Sequence, residues 1–560
     1  MMTELANGLQ SLEEKTLADY VMENARQFGA KPAIEYLGTT ISYRELDRFA
    51  NRMANLLQEQ GVGKGDVVGI HMPNTPQYLI TLVAASKLGA AATGVSPLLT
   101  SSEMLHQVTD AKVKVLVTLN VLFNDVVSPI GGKAGCLKAV FVFGPIDCLP
   151  FWKKQLAVVS RKLPRVALKK MEATKVINGW KRLGKASAKA IQMPMNFSDT
   201  VFIQYTGGTT GKPKGAELSL RAIQAETAQL RSIIPGEEGK ETLASAFPYF
   251  HTAGLILGVI ALKHAARILV IPDPRDTERF CKMMLRYPPT LLANVPTLYQ
   301  MLLEEPSFAR VNFKRLNIAV SGAAPFAPEL IKQLEGVIGQ GKLCEGFGMT
   351  ETCGVSVINP PGKAKIGSVG LPLPGVEVRI VDVDTGIHEL VAGEPGEIII
   401  QGEQAMTGYL NSPEASAKTL RKFEGKSWVY TGDIGVMDED GYLSICDRAK
   451  DMLIVGGYKV FSVEVESKLA ELEAIELCAV IGSPDTKRPG NEIVNLFVQL
   501  KALYRSDDES SIRKEILDFC RQHMSAYKVP KIVHFHDALP LTAVGKLDKK
   551  ALRPLVQDIH

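Results

Sequence analysis

The 560-residue sequence lacks the features that mark several classes of protein. Its eight cysteines include no C-x-x-C pair and no spacing typical of a metal site. We therefore expect reduced thiols in a cytoplasmic protein, and neither a disulfide framework nor a zinc site. The first fifteen residues, MMTELANGLQSLEEK, carry acidic side chains and no long apolar run, which argues against a signal peptide.

No apolar run is long enough for a membrane-spanning helix. The most apolar stretch, residues 255–271, is interrupted by Lys263, His264 and Arg267. A spanning helix needs about 20 mostly apolar residues. The stretch therefore predicts a buried helix followed by a strand.

An excess of charge of either sign is also missing, with one local exception. The net charge is +4, which gives no reason to expect a nucleic-acid partner. Residues 151–190, however, contain twelve Lys or Arg against Glu172 alone, with Phe151, Trp152 and Trp180 among them. Such segments can contact anionic lipid, which would place a cytoplasmic protein on the inner face of the membrane. A solvated helical face has the same pattern, and both interpretations stay open.

The glycine–threonine loop YTGGTTGKPKG, residues 205–215, lacks the Walker pattern. Three residues instead of four separate Gly207 from Gly211, and Lys212 is followed by Pro213 instead of Ser or Thr. These differences argue against an ordinary P-loop ATPase or kinase. Glycines still let backbone N–H groups approach an anion, and threonine hydroxyls add donors. The loop therefore predicts a phosphate site, with a flexible polar turn as the alternative.

The order of predicted elements favours an α/β fold. Residues 67–72 and 113–119 are strand-like, whereas residues 75–89 have apolar residues at helical spacing. This alternation is typical of a doubly wound, largely parallel sheet. After the glycine–threonine loop, Ser219 is a candidate N-cap of a helix.

Towards the C-terminus the pattern changes. Residues 366–410 alternate strands with Gly and Pro turns, which predicts a small β-barrel. Beyond residue 450 the pattern predicts a compact α+β module.

Two further stretches, before residue 440, carry residues suited to binding a nucleotide. EGFGMTET, residues 345–352, contains Phe347, which can stack on a purine, and Glu351, whose oxygens can ligate Mg²⁺. YTGDIG, residues 430–435, places Asp433 at a tight turn, where a carboxylate can accept hydrogen bonds from ribose hydroxyls. Each stretch alone is a weak indication, because a core Phe and a turn Asp are common.

Two stretches beyond residue 446 are equally rich in charged residues and glycines that could take part in binding or catalysis. DRAKDMLIVGGYKV, residues 447–460, carries Arg448 and Lys450 where the pattern changes, followed by a glycine pair that lets backbone approach a ligand. LPLTAVGKLDKKAL, residues 539–552, places Lys546 after a glycine. Alone, this lysine is indistinguishable from a solvated charge.

Together and in this order, these stretches resemble the adenylate-forming superfamily of acyl-CoA synthetases, adenylation domains and luciferases. The resemblance extends from about residue 15 to residue 552. Within the superfamily, the sequence is most similar to bacterial long-chain fatty-acid–CoA ligases. It shares with them the form of the glycine–threonine loop, DRAKDMLIVGGYKV, YKVPK at residues 527–531 and the basic segment.

The resemblance implies a nucleotide-binding role for most of the motif residues. The phosphates of ATP would be cradled by Thr206, Gly207, Gly208, Thr209, Thr210, Gly211, Lys212 and Lys214. The adenine would be walled by Gly322, Ala323, Ala324, Pro325, Glu345, Gly346, Phe347 and Gly348. The ribose would be held by Asp433 and Arg448. Phe347 replaces the commoner Tyr of the family, which keeps stacking but removes a phenol hydroxyl.

The resemblance also implies catalytic and conformational roles. Thr350 would contact the α-phosphate, Glu351 would ligate Mg²⁺, and Lys546 would bridge the acyl carboxylate and the α-phosphate. His251, in FPYFHTAG, would lie beside the acyl pocket. Lys450 would be a hinge, and Gly456 and Gly457 would face CoA.

The implied architecture is α/β, with a large N-terminal AMP-binding domain of doubly wound sheets plus a small β-barrel, residues 1–447. A small, mobile α+β lid domain, residues 448–560, would follow. The implied reaction is ATP- and Mg²⁺-dependent ligation of a medium- or long-chain fatty acid to CoA through an acyl-adenylate, releasing AMP and pyrophosphate. The expected partners are therefore fatty acid, ATP and CoA, with no nucleic acid, and a homodimer stays open.

Three alternatives share the adenylation step: a fatty-acyl-AMP ligase, a carrier-protein adenylating enzyme, and a CoA ligase for aryl or other carboxylic acids. Amino-acid-activating relatives are expected to carry an acidic residue near FPYFHTAG, and acetyl-specific relatives a Trp near FGMTE. Neither is present. The two absences favour a longer, uncharged acyl group.

Overall fold

The structure, a computed structural model, describes residues 12–150, 166–206, 213–324, 326–456, 458–485, 488, 491–506, 508–542 and 547–557. The chain forms two compact units. The first consists of Met1–Ala364, Pro372–Glu377 and Gln401–Val429, and the second of Lys365–Leu371, Val378–Ile400 and Tyr430–His560. Within the described ranges, no helix combines the length and apolarity needed to cross a membrane. All eight cysteines are described, and none forms a disulfide.

A mixed sheet in the first unit contains the first βα repeats of the chain. In spatial order its strands are Gly408–Tyr409, Lys214–Ser219, Thr200–Thr206, Ala91–Val95, Val67–His71, Val113–Leu119, Ala139–Phe143 and Lys175–Asn178. Val67–His71 pairs in parallel with both of its neighbours. All five of its residues are buried, as expected for a parallel strand covered on both faces.

A second mixed sheet in this unit continues the alternation. Its strands include, in spatial order, Val357–Ile358, Leu343–Phe347, Ile318–Gly322, Leu291–Asn294, Thr242–Ser245, Arg267–Val270, Pro32–Tyr36 and Thr39–Ser42. The strands from Leu343–Phe347 to Pro32–Tyr36 run parallel. Buried Phe280, Leu292, Tyr299 and Leu334 belong to the core beside this sheet.

Helices connect the strands of both sheets. Those of the first unit are Leu17–Gln27, Tyr43–Glu59, Pro76–Lys87, Ser101–Asp110, Gly179–Lys185, Leu220–Ile233, Thr252–Lys263, Thr277–Arg286, Pro296–Glu304, Pro328–Ile338 and Pro413–Thr419, besides shorter turns. Side-chain caps fix where several of them begin. Ser219 accepts a hydrogen bond from the N–H of Ala222 at 3.2 Å, which confirms the predicted N-cap.

The second unit contains a small sheet and an α+β module. Strand Lys426–Met437 begins in the first unit, paired with Leu420–Phe423, and ends in the second, paired with Leu443–Arg448. The other strands of this five-stranded sheet are Glu377–Val381 and Gly396–Gln401.

The α+β module follows. It contains strands Leu453–Val455, Tyr458–Val460, Ile475–Pro484, Glu492–Leu500 and Ile532–Phe535, and helices Ser462–Leu469, Glu509–His523, Lys549–Leu552 and Pro554–Gln557. Val465, Leu469, Val480, Leu496 and Ile516 are among its buried core residues.

The predicted α/β class and the separate C-terminal α+β module are confirmed. Residues 113–119 form a strand as predicted, the helix predicted over 75–89 is Pro76–Lys87, and the apolar stretch 255–271 lies in helix Thr252–Lys263 and strand Arg267–Val270. Within the residues 366–410 predicted as a small β-barrel, strands Glu377–Val381 and Gly396–Gln401 form as part of a five-stranded sheet whose other strands follow residue 419, and closure into a barrel stays a prediction. The domain boundary after residue 447 stays a prediction.

Candidate functional site

The glycine–threonine loop connects two paired strands of the first unit. Thr200–Thr206 and Lys214–Ser219 run antiparallel, with Thr206 opposite Lys214. The six residues between Thr206 and Pro213 lie outside the described residues, namely Gly207, Gly208, Thr209, Thr210, Gly211 and Lys212. The strands therefore bring the two ends of the loop together, while its contact with phosphate stays a prediction.

Tyr409 connects two of the predicted site residues. The ammonium of Lys214 lies 4.5 Å from the centroid of the Tyr409 ring, and the Tyr409 hydroxyl donates to Oε1 of Glu351 at 2.6 Å. Burial, together with the Glu351 charge, raises the pKa of Tyr409. The pairing of Tyr409 with Ala216 places the ring beside the strand that carries Lys214. Sequence reasoning missed Tyr409, because a lone Tyr after a glycine belongs to none of the motifs.

Thr350 and Glu351 lie in a short 3-10 turn, Thr350–Thr352, after strand Leu343–Phe347. Both are buried, at 8% and 5% exposure. The hydroxyl of Thr252 donates to Oγ1 of Thr350 at 3.1 Å. Thr252 is the first residue of helix Thr252–Lys263, so this bond joins the turn to the start of that helix.

His251 is the N-cap of the same helix. Its Nδ1 accepts a hydrogen bond from the N–H of Ala253 at 3.3 Å. A neutral imidazole with this bond carries its proton on Nε2. Since Thr252 follows directly and contacts Thr350, the structure brings the predicted residues His251 and Thr350 to neighbouring positions.

Glu226 supports the backbone just after this turn. It is fully buried in helix Leu220–Ile233, and burial raises the pKa of its carboxyl well above the usual range. Its Oε1 accepts from the N–H of Val355 at 2.8 Å. A Cβ atom at Gly354, where φ is +139°, would lie 2.8 Å from the same oxygen. Sequence reasoning missed Glu226, because an acidic residue in a helix usually faces solvent.

The two segments predicted to wall the adenine lie side by side. Strands Ile318–Gly322 and Leu343–Phe347 are parallel neighbours, with Gly322 opposite Gly346. Their carboxyl ends therefore meet at one edge of the sheet, where parallel α/β sheets bind ligands. The predicted residues at this edge are Gly322, Ala323, Ala324, Glu345, Gly346, Phe347 and Gly348, while Pro325 lies outside the described residues.

Two backbone features shape this edge. A Cβ atom at Gly348 would lie 1.7 Å from the carbonyl oxygen of Gly354, which no side chain can accommodate. Ala323 has φ of +74°, a conformation that non-glycine residues rarely adopt. Burial also raises the pKa of Glu345 to about 7.

The predicted ribose residues lie in the second unit and contact each other. Asp433 pairs with Arg448 across antiparallel strands, and the Arg448 Nε lies 2.8 Å from Oδ1 of Asp433. The N–H of Asp433 donates to Oγ1 of Thr431 at 3.0 Å. The side chain of Asp433 is 6% exposed and that of Arg448 47%. The carboxylate is therefore fixed, and its guanidinium partner reaches solvent.

The predicted hinge and CoA-side residues also lie in the second unit. Burial, with the nearby Arg448 charge, lowers the pKa of Lys450 to about 8. Gly456 has φ of +60°, which glycine adopts without strain. Beside it, Tyr458 is 60% exposed and stacks on Tyr527, with ring centroids 4.6 Å apart.

Two further predicted residues, Gly457 and Lys546, lie outside the described residues. The ends of the segment that carries Lys546 are described. Leu541 pairs with Leu547, and the N–H of Asp548 donates to the carbonyl of Pro540 at 2.8 Å. These two contacts close the base of the segment.

Two family models match the chain. The model described as AMP-binding enzyme matches residues 21–410. The model described as AMP-binding enzyme C-terminal domain matches residues 464–546. The first match contains the glycine–threonine loop and Glu351, and the second ends at Lys546.

The chain is also similar to named proteins over nearly its whole length. It is 34% identical over 548 residues to a long-chain-fatty-acid–CoA ligase of Bacillus subtilis, covering 97% of this chain and 94% of the relative. The solved structure of an anthranilate CoA ligase in complex with anthranoyl-AMP superposes with a TM-score of 0.82 at 26% identity, covering 97% of each chain. ATP-bound MatB from Rhodopseudomonas palustris superposes with a TM-score of 0.80 at 28% identity, covering 97% of this chain and 99% of that one.

If Glu351 ligates Mg²⁺ as the family resemblance implies, Tyr409→Phe is expected to weaken Mg²⁺ binding in the presence of ATP by about tenfold, since hydrogen bonds to a ligating carboxylate orient it. The substitution removes the bond to Glu351 and keeps the ring beside Lys214. The measurement is the Mg²⁺ concentration that gives half of the ATP-induced rise in melting temperature. Tyr36→Phe, which removes a phenol bond to the carbonyl of Pro145, is the matched control. Equal Mg²⁺ requirements for the two variants would contradict the assignment.

Proposed function

Because the chain belongs to the adenylate-forming superfamily of AMP-binding enzymes, we propose that it ligates a fatty acid to coenzyme A, using ATP and Mg²⁺ and releasing AMP and pyrophosphate. One observation in the structure carries this proposal. Lys214, Tyr409 and Glu351 form a continuous series of contacts, with Thr350 next in sequence, at the end of the predicted phosphate loop. A cation, a phenol, a carboxylate and a hydroxyl are together suited to a nucleotide triphosphate and its metal ion.

In this proposal the first unit binds the phosphates. Thr206, Lys214 and the residues between them cradle the β- and γ-phosphates, and the Thr350 hydroxyl contacts the α-phosphate. Glu351 offers a buried carboxylate, and Mg²⁺ in nucleotide sites is usually held by one or two carboxylates plus phosphate oxygens. The ion would neutralise charge on the phosphates when bound. The residues present therefore fit the metal.

The first half-reaction forms a bond between an oxygen of the fatty acid and the α-phosphorus. The bond from that phosphorus to the oxygen of the leaving pyrophosphate breaks. A carboxylate and a polyphosphate repel each other, so cations that neutralise the developing charge lower the barrier. We assign this role to Lys214 and to Lys546.

In the second half-reaction the CoA thiol gives up its proton to solvent, its sulfur attacks the carbonyl carbon of the acyl-adenylate, and the bond from that carbon to the AMP oxygen breaks. No protein nucleophile is needed. We propose that Lys450 is the hinge about which residues 448–560 turn between the two steps, so that Lys546 leaves and CoA enters. The exposed ring of Tyr458, stacked on the half-buried Tyr527 near Gly456, offers an aromatic surface on the proposed CoA side.

The acyl group is proposed to be a medium- or long-chain fatty acid. The Bacillus subtilis relative is named for that substrate class, and helix Thr252–Lys263, which begins beside His251, is almost entirely apolar. The anthranilate CoA ligase supports an aryl acid as the second candidate. A fatty-acyl-AMP ligase or a carrier-protein adenylating enzyme would stop at the adenylate or use another thiol.

The reaction is tested by AMP release from ATP, with and without CoA, across straight-chain acids of increasing length and a set of benzoates. We expect CoA-dependent AMP release that is greatest with a medium- or long-chain acid and at least tenfold lower with benzoates. Greatest release with an aryl acid would move the assignment to the second candidate. AMP release that no acid or CoA stimulates would contradict the proposed function.

We also propose that the basic segment, residues 151–190, contacts anionic membrane surfaces. Its residues 151–165 lie outside the described residues. In the described part, Lys169, Lys170 and Lys175 are exposed. Trp180, by contrast, packs against Phe49 with ring centroids 6.0 Å apart, so this aromatic residue is engaged by the protein. The lysines are therefore the candidates for lipid contact.

Replacing Lys169, Lys170 and Lys175 together by Ala is expected to weaken binding to phosphatidylglycerol vesicles at least tenfold, because each lysine near an anionic surface contributes about 1 kcal/mol. Turnover on a water-soluble acid should stay unchanged. The matched control replaces Lys133, Lys314 and Lys332, which are also exposed. If both triple variants bind vesicles as the unaltered protein does, the segment has no role at the membrane.

A further inference from the structure

A group of charged side chains with little exposure in the second unit has no place in the reaction described above. It consists of Asp447, Glu466 and Lys549. Asp447 is 2% exposed, and the side chain of Lys549 is 14% exposed. Charged groups are seldom removed from water unless they are paired, so their arrangement needs an explanation.

The group is joined by short hydrogen bonds. Nζ of Lys549 lies 2.6 Å from Oε1 of Glu466 and donates to the Ser462 hydroxyl at 2.6 Å. That hydroxyl donates in turn to Oδ1 of Asp447 at 3.0 Å, and the N–H of Ser462 donates to the same carboxylate. The Ser462 hydroxyl thus bridges the ammonium of Lys549 and the carboxylate of Asp447, and we call this chain of hydrogen bonds the relay.

The charges in this relay support one another. Burial raises the pKa of both Asp447 and Glu466. Burial alone would lower the pKa of Lys549, but the carboxylates of Glu466, Asp447 and Asp451 outweigh it and raise that pKa. Lys549 is therefore held by Glu466 directly and by Asp447 through the Ser462 hydroxyl.

The relay connects chain segments on opposite sides of the proposed hinge. Asp447, in strand Leu443–Arg448, precedes Lys450 in the sequence. Ser462, Glu466 and Lys549 all follow Lys450. Oδ1 of Asp447 also accepts from the N–H of Arg448 at 2.7 Å. Arg448 contacts Asp433, so the relay begins at the strand pair proposed to hold the ribose.

The other end of the relay lies close in sequence to the proposed catalytic lysine. Lys549 is the first residue of helix Lys549–Leu552, three residues after Lys546. The contacts of Leu541 with Leu547 and of Asp548 with Pro540 close the base of the intervening segment. A displacement of Lys549 therefore displaces the described end of that segment, Leu547 and Asp548.

We propose that Lys549 is a positioning residue for adenylate formation, acting through Ser462 and Asp447 to join the described base of the segment that carries Lys546 to the strand of Arg448. The inference rests on the proposed function. Rotation about Lys450 would carry Ser462, Glu466 and Lys549 away from Asp447 together, so the relay must open before the second half-reaction. The relay accordingly favours the first half-reaction and is not needed for the second.

Three variants and one control test this inference in the full-length protein. Lys549→Met removes the ammonium, and Lys549→Arg restores a cation. Ser462→Ala cuts the relay but leaves the contact between Lys549 and Glu466, and Asp447 keeps the backbone N–H groups of Ser462 and Arg448 as donors. Lys550→Met is the control, since Lys550 is the adjacent and exposed lysine.

We expect Lys549→Met to lower acid-dependent pyrophosphate exchange at least tenfold, with the KM for ATP unchanged. Ser462→Ala should lower it about fivefold, the effect of one lost hydrogen bond. Lys549→Arg should stay within threefold of the unaltered protein, and Lys550→Met should match it. Thioester formation from supplied acyl-adenylate and CoA should change less than twofold in every variant. Equal loss of both half-reactions, or no loss in either, would overturn the inference.

Limited proteolysis tests whether the relay is intact without measuring catalytic turnover. Lys549→Met and Ser462→Ala should speed cleavage within residues 448–461, and Lys550→Met should not. Unchanged cleavage in both relay variants would overturn the inference even if the enzyme is active. An unaltered protein that forms no adenylate from any acid would instead refute the proposed function, and the proteolysis result would still decide whether the relay holds the two sides of the hinge.

Discussion

Repulsion between a carboxylate and the phosphates of ATP is the constraint on which the rest of the structure depends. Two like charges 4 Å apart near a protein surface repel by about 4 kcal/mol, so an acid approaches the α-phosphorus only where cations and hydrogen-bond donors are already in place. The cation of Lys214, the Tyr409 phenol and the Glu351 carboxylate lie in contact with one another, and in the proposed function they serve this purpose. The fold holds these groups in contact with one another.

Much of the first unit can be understood as support for that arrangement. Parallel strands end together, so that Gly322 and Gly346 lie opposite each other at one edge. The turn of Thr350 is fixed by Thr252 on one side, and the backbone after it by the buried Glu226. The second unit repeats the principle: Asp433 is fixed by its strand and by Arg448. Precision in both units comes from buried polar contacts.

The sequence predicts the α/β class, the strand at residues 113–119 and the Ser219 cap, because periodicity and capping are local properties. Family resemblance predicts which motif residues matter, and the structure brings His251 near Thr350, and Asp433 against Arg448. Tyr409, Glu226 and Lys549 could not be predicted. Their partners lie far away in sequence, and each residue alone fits a surface position as well as a buried one.

Charge neutralisation can be measured most directly by replacing Lys546, because its proposed role depends on its charge alone. Lys546→Ala should lower acid-dependent pyrophosphate exchange at least a hundredfold while ATP affinity stays within threefold, because the ammonium acts on charge that develops in the transition state. Pyrophosphate exchange at the unaltered rate, or a loss fully explained by weaker ATP binding, would contradict the account.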